Sequence, residues 1–227
     1  MTPDGAGGID VVVVGAGGFG RETLDVIEAH NRAHLDAPLV VRGVVDDSPS
    51  EQNLDRLGAR GYRWLGPVAD VLGTVVGHFI LGVGNPAVKA ELDARFVEAG
   101  WTALSVVHPA AVLGSVREIG AGSVICAGVQ ISTNTALGRH VHLNPSAVIG
   151  HDTVLADFVS VNPGAIVSGD VGVLEGALIG AGAVVLQGLQ VGAGATIGAS
   201  ACVTRDVPAG EVVAGVPART LRRSDDA

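Results

Sequence analysis

Branched aliphatic residues recur every six positions through the second half of this chain, at Val107, Leu113, Ile119, Ile125, Ile131, Leu137, Leu143, Ile149, Leu155, Val161, Val167, Val173, Ile179, Val185, Val191, Ile197 and Val203. If such residues fill about a third of positions, an unbroken run of this length arises by chance on the order of once in 10⁸ trials, so a fixed-period architecture is required. Four residues after each aliphatic the side chain is mostly small or β-branched, as at Ser123, Thr135, Ala147, Thr153, Ala165, Ala177, Ala183, Ala195 and Ala201, with Arg117 and Leu189 as exceptions. One bulky inward residue, one small residue and a turn per hexad describe a short strand plus a corner, and three hexads close a triangular coil. Residues 18 apart then stack, and backbone groups pair between coils along three parallel sheets. The ladder makes nearly six coils with continuous stacks of Val, Ile and Leu inside.

The composition suits such a solenoid. Gly 34 is about twice the usual share, and aromatics at 3% leave Val, Ile, Leu and Ala to fill the core. A formal charge of −9, with Lys89 the sole lysine, offers no basic stripe for a phosphate backbone, so nucleic acid is not an expected partner. Anionic cofactors would have to be held by backbone N–H groups and a few local arginines. The segment Gly176 to Thr204 carries no charge and exceeds the ~20 residues that span a bilayer, but its glycines, Gln187, Gln190 and unbroken hexad phase argue against membrane insertion. Cys126 and Cys202, with no signal-peptide core after Met1, fit a reducing, cytoplasmic setting without structural disulfides.

The first hundred residues lack the hexad period and alternate strand and helix: a strand Ile9 to Val14, a helix from about Arg21 to Asn31, a strand Leu39 to Val45, a strand Phe79 to Val83, and a helix Pro86 to Ala99 with Val88, Leu92 and Phe96 on one face. This predicts a small Rossmann-like parallel sheet over 9–100, with the boundary near Gly100 to Val106 and the coils over 106–222. Between the first strand and helix lies Gly15-Ala16-Gly17-Gly18-Phe19-Gly20, a turn that lets a phosphate approach the backbone at a helix N-terminus. About ninety residues supply only one of the two mononucleotide halves of a dinucleotide site, so a nucleotide with one base fits better. Asp46 and Asp47 end the second strand, where a carboxylate accepts hydrogen bonds from a ribose or a base, or simply closes a solvated turn. The chain ends Met1 to Gly8 and Ser224 to Ala227 are expected to be poorly ordered.

Val-Gly-Ala-Gly-Gly-Phe-Gly-Arg-Glu, Val-Val-Asp-Asp, Leu-Gly-Val-Gly-Asn (with Gly84) and the hexads together resemble the sugar O-/N-acetyltransferases of the sialic-acid and bacillosamine pathways, within the hexapeptide-repeat acyltransferases. The resemblance implies a left-handed β-helix, a homotrimer with active sites between subunits, acetyl-CoA as co-substrate and no metal. It further implies a nucleotide-linked amino-sugar held by Gly15, Gly17, Gly18, Phe19, Asp46, Asp47, Gly84 and Asn144. The family's His-acid pair matches His151-Asp152, with His151 as general base and Asp152 orienting the imidazole. By the same resemblance Gly169 donates its N–H to the oxyanion, Ser160, Ala181 and Ala199 line the acetyl-CoA path, and Arg219 meets a CoA phosphate or caps the C-terminus. Phe19 and Ser160 stand where relatives often carry histidines.

Three activities follow from these residues. The leading one is acetyl transfer from acetyl-CoA to the amine of a nucleotide-linked amino-sugar. The second is sialic-acid-type O-acetylation. The third is a γ-carbonic-anhydrase-like metalloenzyme or a non-catalytic β-helix protein, raised by His140 and His142. Zinc of that type needs three imidazoles. One coil away from His140 stand Gly122 and Phe158, and from His142 stand Val124 and Ser160, so a third ligand would have to come from a neighbouring subunit.

Overall fold

A computed structural model describes residues 8–73 and 76–221. The expected poor order of the chain ends therefore falls largely outside the described residues, as does residue 222 of the expected coil region. Strand β1 (Ile9–Val14), helix α1 (Gly18–Ala33), strand β2 (Leu39–Val45), helices α2 (Glu51–Gly58) and α3 (Val68–Leu72), strand β3 (His78–Leu81), helix α4 (Pro86–Glu98) and strand β4 (Thr102–Ala103) build an N-terminal unit. Its sheet has the order β2-β1-β3-β4 and is parallel throughout, because each crossover runs through helix or long loop. Local chemistry sets the helix starts. Ser50 caps α2 by accepting from Asn53 N, while Asn85 caps α4 by accepting from Ala87 N and Val88 N, with Pro86 in the first turn. Leu92 and Phe96 of α4 are buried as the pattern predicts, but Val88 is exposed and borders a hollow beside the strand ends.

The hexads form three parallel sheets. The first face runs from Val106–Val107 through Val124–Ile125, His142–Leu143, Ser160–Val161, Leu178–Ile179 and Thr196–Ile197 to Val212–Ala214, and Arg219–Thr220 closes it antiparallel. The second face runs from Val112–Leu113 to Cys202–Val203, and the third from Val116–Ile119 to Gln190–Val191. Partners such as His142↔Ser160, Ile149↔Val167 and Leu155↔Val173 are 18 residues apart, so each ladder residue lies on its counterpart in the next coil. Every ladder residue from Ile125 to Val203 is buried, at 3% exposure or less. Leu113, in the first coil, is 40% exposed because nothing stacks beneath that end. The final coil loses two residues, as Val191↔Val207 and Thr196↔Val212 show, and the repeat stops there. The result is a left-handed parallel β-helix of about six turns.

The corners have a backbone rule of their own. At every sixth residue from 122 to 200 the chain takes a positive φ, seven times at glycine and seven times at Asn134, His140, Ser146, Asp152, Phe158, Asp170 and Ser200. This left-handed conformation makes the tight turn between faces, and a non-glycine residue there costs roughly 1–2 kcal/mol. Asn and Asp tolerate it through local hydrogen bonds. His140 and Phe158 are less natural occupants, and they stack face to face at 5.8 Å, with the His140 ring over Gly122, where any Cβ would collide.

The N-terminal unit sits on the lower part of the first face. Along each strand the ladder residue points inward and its predecessor outward. The outward residues Val106, Val124, His142 and Ser160 are nevertheless buried, whereas Leu178 and Thr196 higher up are only half-buried. Polar bonds fix this contact. Lys89 of α4 is fully buried and donates to the carbonyls of His140 (2.8 Å) and Val159 (3.2 Å). Asp93, one turn later, receives two hydrogen bonds from the Arg139 guanidinium and one from His140 Nε2 at 2.8 Å. Burial raises the Asp93 carboxyl, but the bonds and charges of Arg139 and His140 outweigh it and bring the pKa down to about 2. Burial likewise pushes His140 down, with Asp93 opposing.

Candidate active site

His151 and Asp152 form the corner between the second and third faces, immediately after the strand Val148–Ile149. Both side chains are about half exposed, and His151 Nδ1 lies 2.8 Å from Asp152 Oδ2. An ionised carboxylate only accepts, so Nδ1 carries the proton and Nε2 keeps its lone pair. Coil stacking fixes the ring from below. Gly169 lies 18 residues on, and a Cβ there would come within 2.4 Å of His151 Nε2. Only glycine leaves room for the imidazole. Asp152 is held in turn by Asn134, whose amide donates to the other carboxylate oxygen. The sequence reading missed Asn134, although the stacking rule points to it one coil before Asp152.

Gly169 N–H makes no hydrogen bond with a described residue, as is general for the corner residue at this phase of the hexad. The residue is buried beneath the histidine. An imidazole with an open Nε2, a carboxylate bonded to its Nδ1 and one unbonded N–H thus meet at one corner. Ala181 and Ala199 are exposed and stack on each other at the corner between the first and second faces. Within one chain, the second face separates them from His151. Exposed Ile166 (40%), Val154 (43%) and Leu186 (42%) surround the His151 corner.

Several sequence-derived positions have structural partners. Asn144 is buried, donates from its amide to the Val161 carbonyl at 3.0 Å, and stands at the corner away from His151. Ser160 is buried on the first face, where its hydroxyl donates to the Gly84 carbonyl at 2.9 Å. The structure therefore joins Ser160 to Gly84 rather than to His151. Asp46 accepts from Ala16 N (2.7 Å) and Ser48 N (2.9 Å), and Asp47 from Val68 N (2.6 Å), with Arg95 beside it at 3.4 Å. Arg219 is exposed, bonds the Ala218 carbonyl, and borders a hollow of about 280 Å³ with Arg205.

The glycine turn divides by role. Gly15 has φ +113, and a Cβ there would strike the Gly82 carbonyl at 2.7 Å, so it serves strand packing. Gly17 and Gly18 have open space above them, as does Gly84 across the cleft. Gly17 caps α1 without a side-chain bond, so the first amides of this 16-residue helix stay available to an anion. Two hollows flank the turn. One, of about 290 Å³, is lined by Gly15, Asp46, Asp47, Glu91 and Arg95. The other, of about 450 Å³, is lined by Gly18, Arg21, Arg56 and Arg60 together with the acids Glu22 and Asp25. Arg60 is paired with Asp25 and Glu28, and Arg21 with Asn53, but Arg56 has no hydrogen bond or ion pair with a described residue. Residues 51–58 carry no element assignment from sequence, and Arg56 is not singled out there.

The two histidines that raised the zinc alternative have other neighbours. His140 Nε2 is engaged by Asp93, His142 lies under Phe19, and no group of three metal-ligating side chains occurs among the described residues.

Comparison with known proteins places this geometry. A family profile, the PglD N-terminal domain, matches residues 10–96. The GDP-perosamine N-acetyltransferase of Escherichia coli O157:H7 is 33% identical over 143 residues, which covers 62% of this chain and 61% of that protein, so the match spans about three-fifths of that curated relative. A perosamine N-acetyltransferase mutant from Caulobacter crescentus, solved in complex with CoA and GDP-perosamine, has 26% identity and a TM-score of 0.82 over 94% of this chain and 97% of its own. WeeI from Acinetobacter baumannii AYE has 30% identity and a TM-score of 0.81, covering 95% of this chain and 100% of that one. Sheet unit, coils and their junction are all included in that last match, and the chain belongs to the hexapeptide-repeat sugar N-acetyltransferase family.

Proposed function

We propose that this chain is an acetyl-CoA-dependent N-acetyltransferase that acts on the amine of a nucleotide-linked amino-sugar. The observation that carries the reading is the imidazole of His151, protonated on Nδ1 by its bond to Asp152 and poised with Nε2 over Gly169 at an open coil corner. The sugar amine attacks the thioester carbonyl carbon, and His151 Nε2 takes the proton that the nitrogen sheds. The tetrahedral oxyanion points at Gly169 N–H. When it collapses the C–S bond breaks, and the CoA thiolate recovers the proton from the imidazolium. General-base assistance of this kind is worth 10²–10⁴-fold, about 3–5 kcal/mol of barrier, and one oxyanion donor about 3 kcal/mol.

The sheet unit, over 9–100, holds the nucleotide and the coils, over 106–222, carry the chemistry. Gly17, Gly18 and the α1 N-terminus receive the diphosphate, with Arg56 supplying the positive charge that an overall −9 chain otherwise lacks. Asp46 and Asp47 keep lone pairs for ribose or base beyond the bonds they already accept. Ala181, Ala199 and Arg219 receive acetyl-CoA. Because those alanines stand one corner away from His151, a neighbouring subunit supplies the second wall of the groove, and the exposed Val154, Ile166 and Leu186 give it an apolar seat. The assembly is a homotrimer. It works in the cytoplasm, where nucleotide-sugars and acetyl-CoA meet. No helix among the described residues is long and apolar enough to cross a membrane.

Mass spectrometry of UDP- and GDP-linked amino-sugars incubated with acetyl-CoA should show a gain of about 42 Da, one acetyl group replacing one hydrogen. An unchanged mass for every conjugate removes the proposal, and a gain confined to free sialic acid selects O-acetylation instead. His151→Ala should lower kcat far more than it raises either KM.

A further inference from the structure

His142 is completely buried, and neither of its ring nitrogens has a hydrogen-bond partner. Burial holds its pKa well below the ordinary histidine range, and the charges of Lys89 and His140 push the same way. The main chain of Val83 lies near enough to favour the charged form but outside hydrogen-bond geometry. A neutral imidazole offers one donor and one acceptor, and here both are idle. Unpaired buried groups are costly and call for an explanation. The fold does not require one here, because the neighbouring coils fill the same outward place with Val124 and with Ser160, whose hydroxyl is bonded.

What covers the ring is informative. Phe19 lies over His142 with centroids 4.8 Å apart and planes tilted by 32°. Phe19 belongs to the first turn of α1, directly after Gly18, and is only partly buried. Across from it, Gly84 has open space at its Cα, and its carbonyl is tied to Ser160, the coil neighbour of His142. His142 thus lies between the glycine turn and the loop that follows β3, one aromatic ring below the surface.

We propose that His142 is a binding residue for the sugar of the nucleotide-sugar ligand, and that its imidazole hydrogen-bonds a ring hydroxyl when the Phe19 side chain turns aside. The inference rests on the nucleotide-amino-sugar reading above. A neutral donor-acceptor pair matches a hydroxyl, which also donates and accepts, better than a phosphate, which only accepts. The direction fits as well, since a ligand with its diphosphate at Gly17 and Gly18 reaches the coils across Phe19.

The test uses full-length protein labelled with ¹⁵N-histidine. Long-range ¹H–¹⁵N spectra are recorded with saturating UDP, GDP and their amino-sugar conjugates, and His142 is identified by the signals that His142→Gln removes. The conjugates should move both His142 nitrogens, and the free diphosphates should not. In steady state, His142→Leu should raise KM for the conjugate about tenfold, leave KM for acetyl-CoA alone and keep kcat within about threefold. His142→Gln, which retains a donor and an acceptor, should recover most of that loss. Phe19→Ala keeps the histidine in place, and its titration should move up toward the usual range as water reaches the ring. Acetyl transfer with unmoved His142 signals overturns the inference and spares the transferase reading. Moving signals without acetyl transfer do the reverse, and the failure of both removes both.

Discussion

Gly169→Ala separates the position of the proposed general base from the stability of the fold that carries it. The new Cβ would lie 2.4 Å from His151 Nε2, 2.5 Å from Cε1 and 2.9 Å from Cδ2. Ordinary contact needs about 3.5 Å, so the imidazole must retreat by roughly 1 Å. Its side chain is half exposed, which lets it swing outward without disturbing the buried ladder. The cost to stability should therefore stay within about 1 kcal/mol, a shift of a few degrees in Tm at most. Catalysis has no such slack, because a displacement of about 1 Å in a reacting group costs on the order of 10²-fold. The amide of residue 169 survives the substitution, so the loss would come from the displaced base. The assay is kcat and both KM values beside a thermal melt, with His151→Ala as the floor. A variant that keeps kcat within about threefold of the parent would refute the claim that this ring, resting on this glycine, is the base.

Asn134→Gly removes the amide that holds Asp152 while keeping the left-handed corner, and should lower kcat by about 3- to 10-fold with little change in melting temperature, checked by steady-state kinetics over a pH series beside a thermal melt. Arg56→Ala should raise KM for the nucleotide-sugar several-fold and weaken its salt dependence, leaving KM for acetyl-CoA unchanged. Asp93→Asn should lower unfolding stability at pH 7 by about 2 kcal/mol. The folded pKa of Asp93 is depressed from 3.8 to about 2, so its contribution is complete above pH 3.8 and is lost as pH falls through 2. Denaturant melts of parent and variant should accordingly differ at neutral pH and converge in strong acid; a difference that persists at pH 1.5 would count against the assignment.

The coils were legible in the sequence because each repeats the same physical problem. A buried branched residue every six positions has one economical solution, and the observed pairing of His142 with Ser160 or Ile149 with Val167 follows directly from it. The His151, Asp152 and Gly169 cluster was legible for the same reason, since stacking converts sequence distance into neighbourhood. The docking of the sheet unit was not. Val106, Val124, His142 and Ser160 look like any outward-facing positions, and only the contact with α1 and α4 buries them. Asn144, expected near the sugar, also bonds the Val161 carbonyl of the next coil, a contact the pattern does not reveal. Asp46 and Asp47 were read as ligand acceptors or as the close of a turn, and the loop bonds they accept came from the fold and not from the pattern. Short helices α2 and α3, too brief for a clear period, went unread, and Arg56 with them.

The constant pairing of residues 18 apart makes the solenoid a screw in which chain length is converted into angle and height. Six added residues turn everything downstream by about a third of a revolution, while a full coil lifts it by about 4.8 Å with no rotation. The elevation of the imidazole above the docked sheet unit is consequently quantised. Without a change of facing, an insertion or deletion moves it by whole storeys, never by fractions of one.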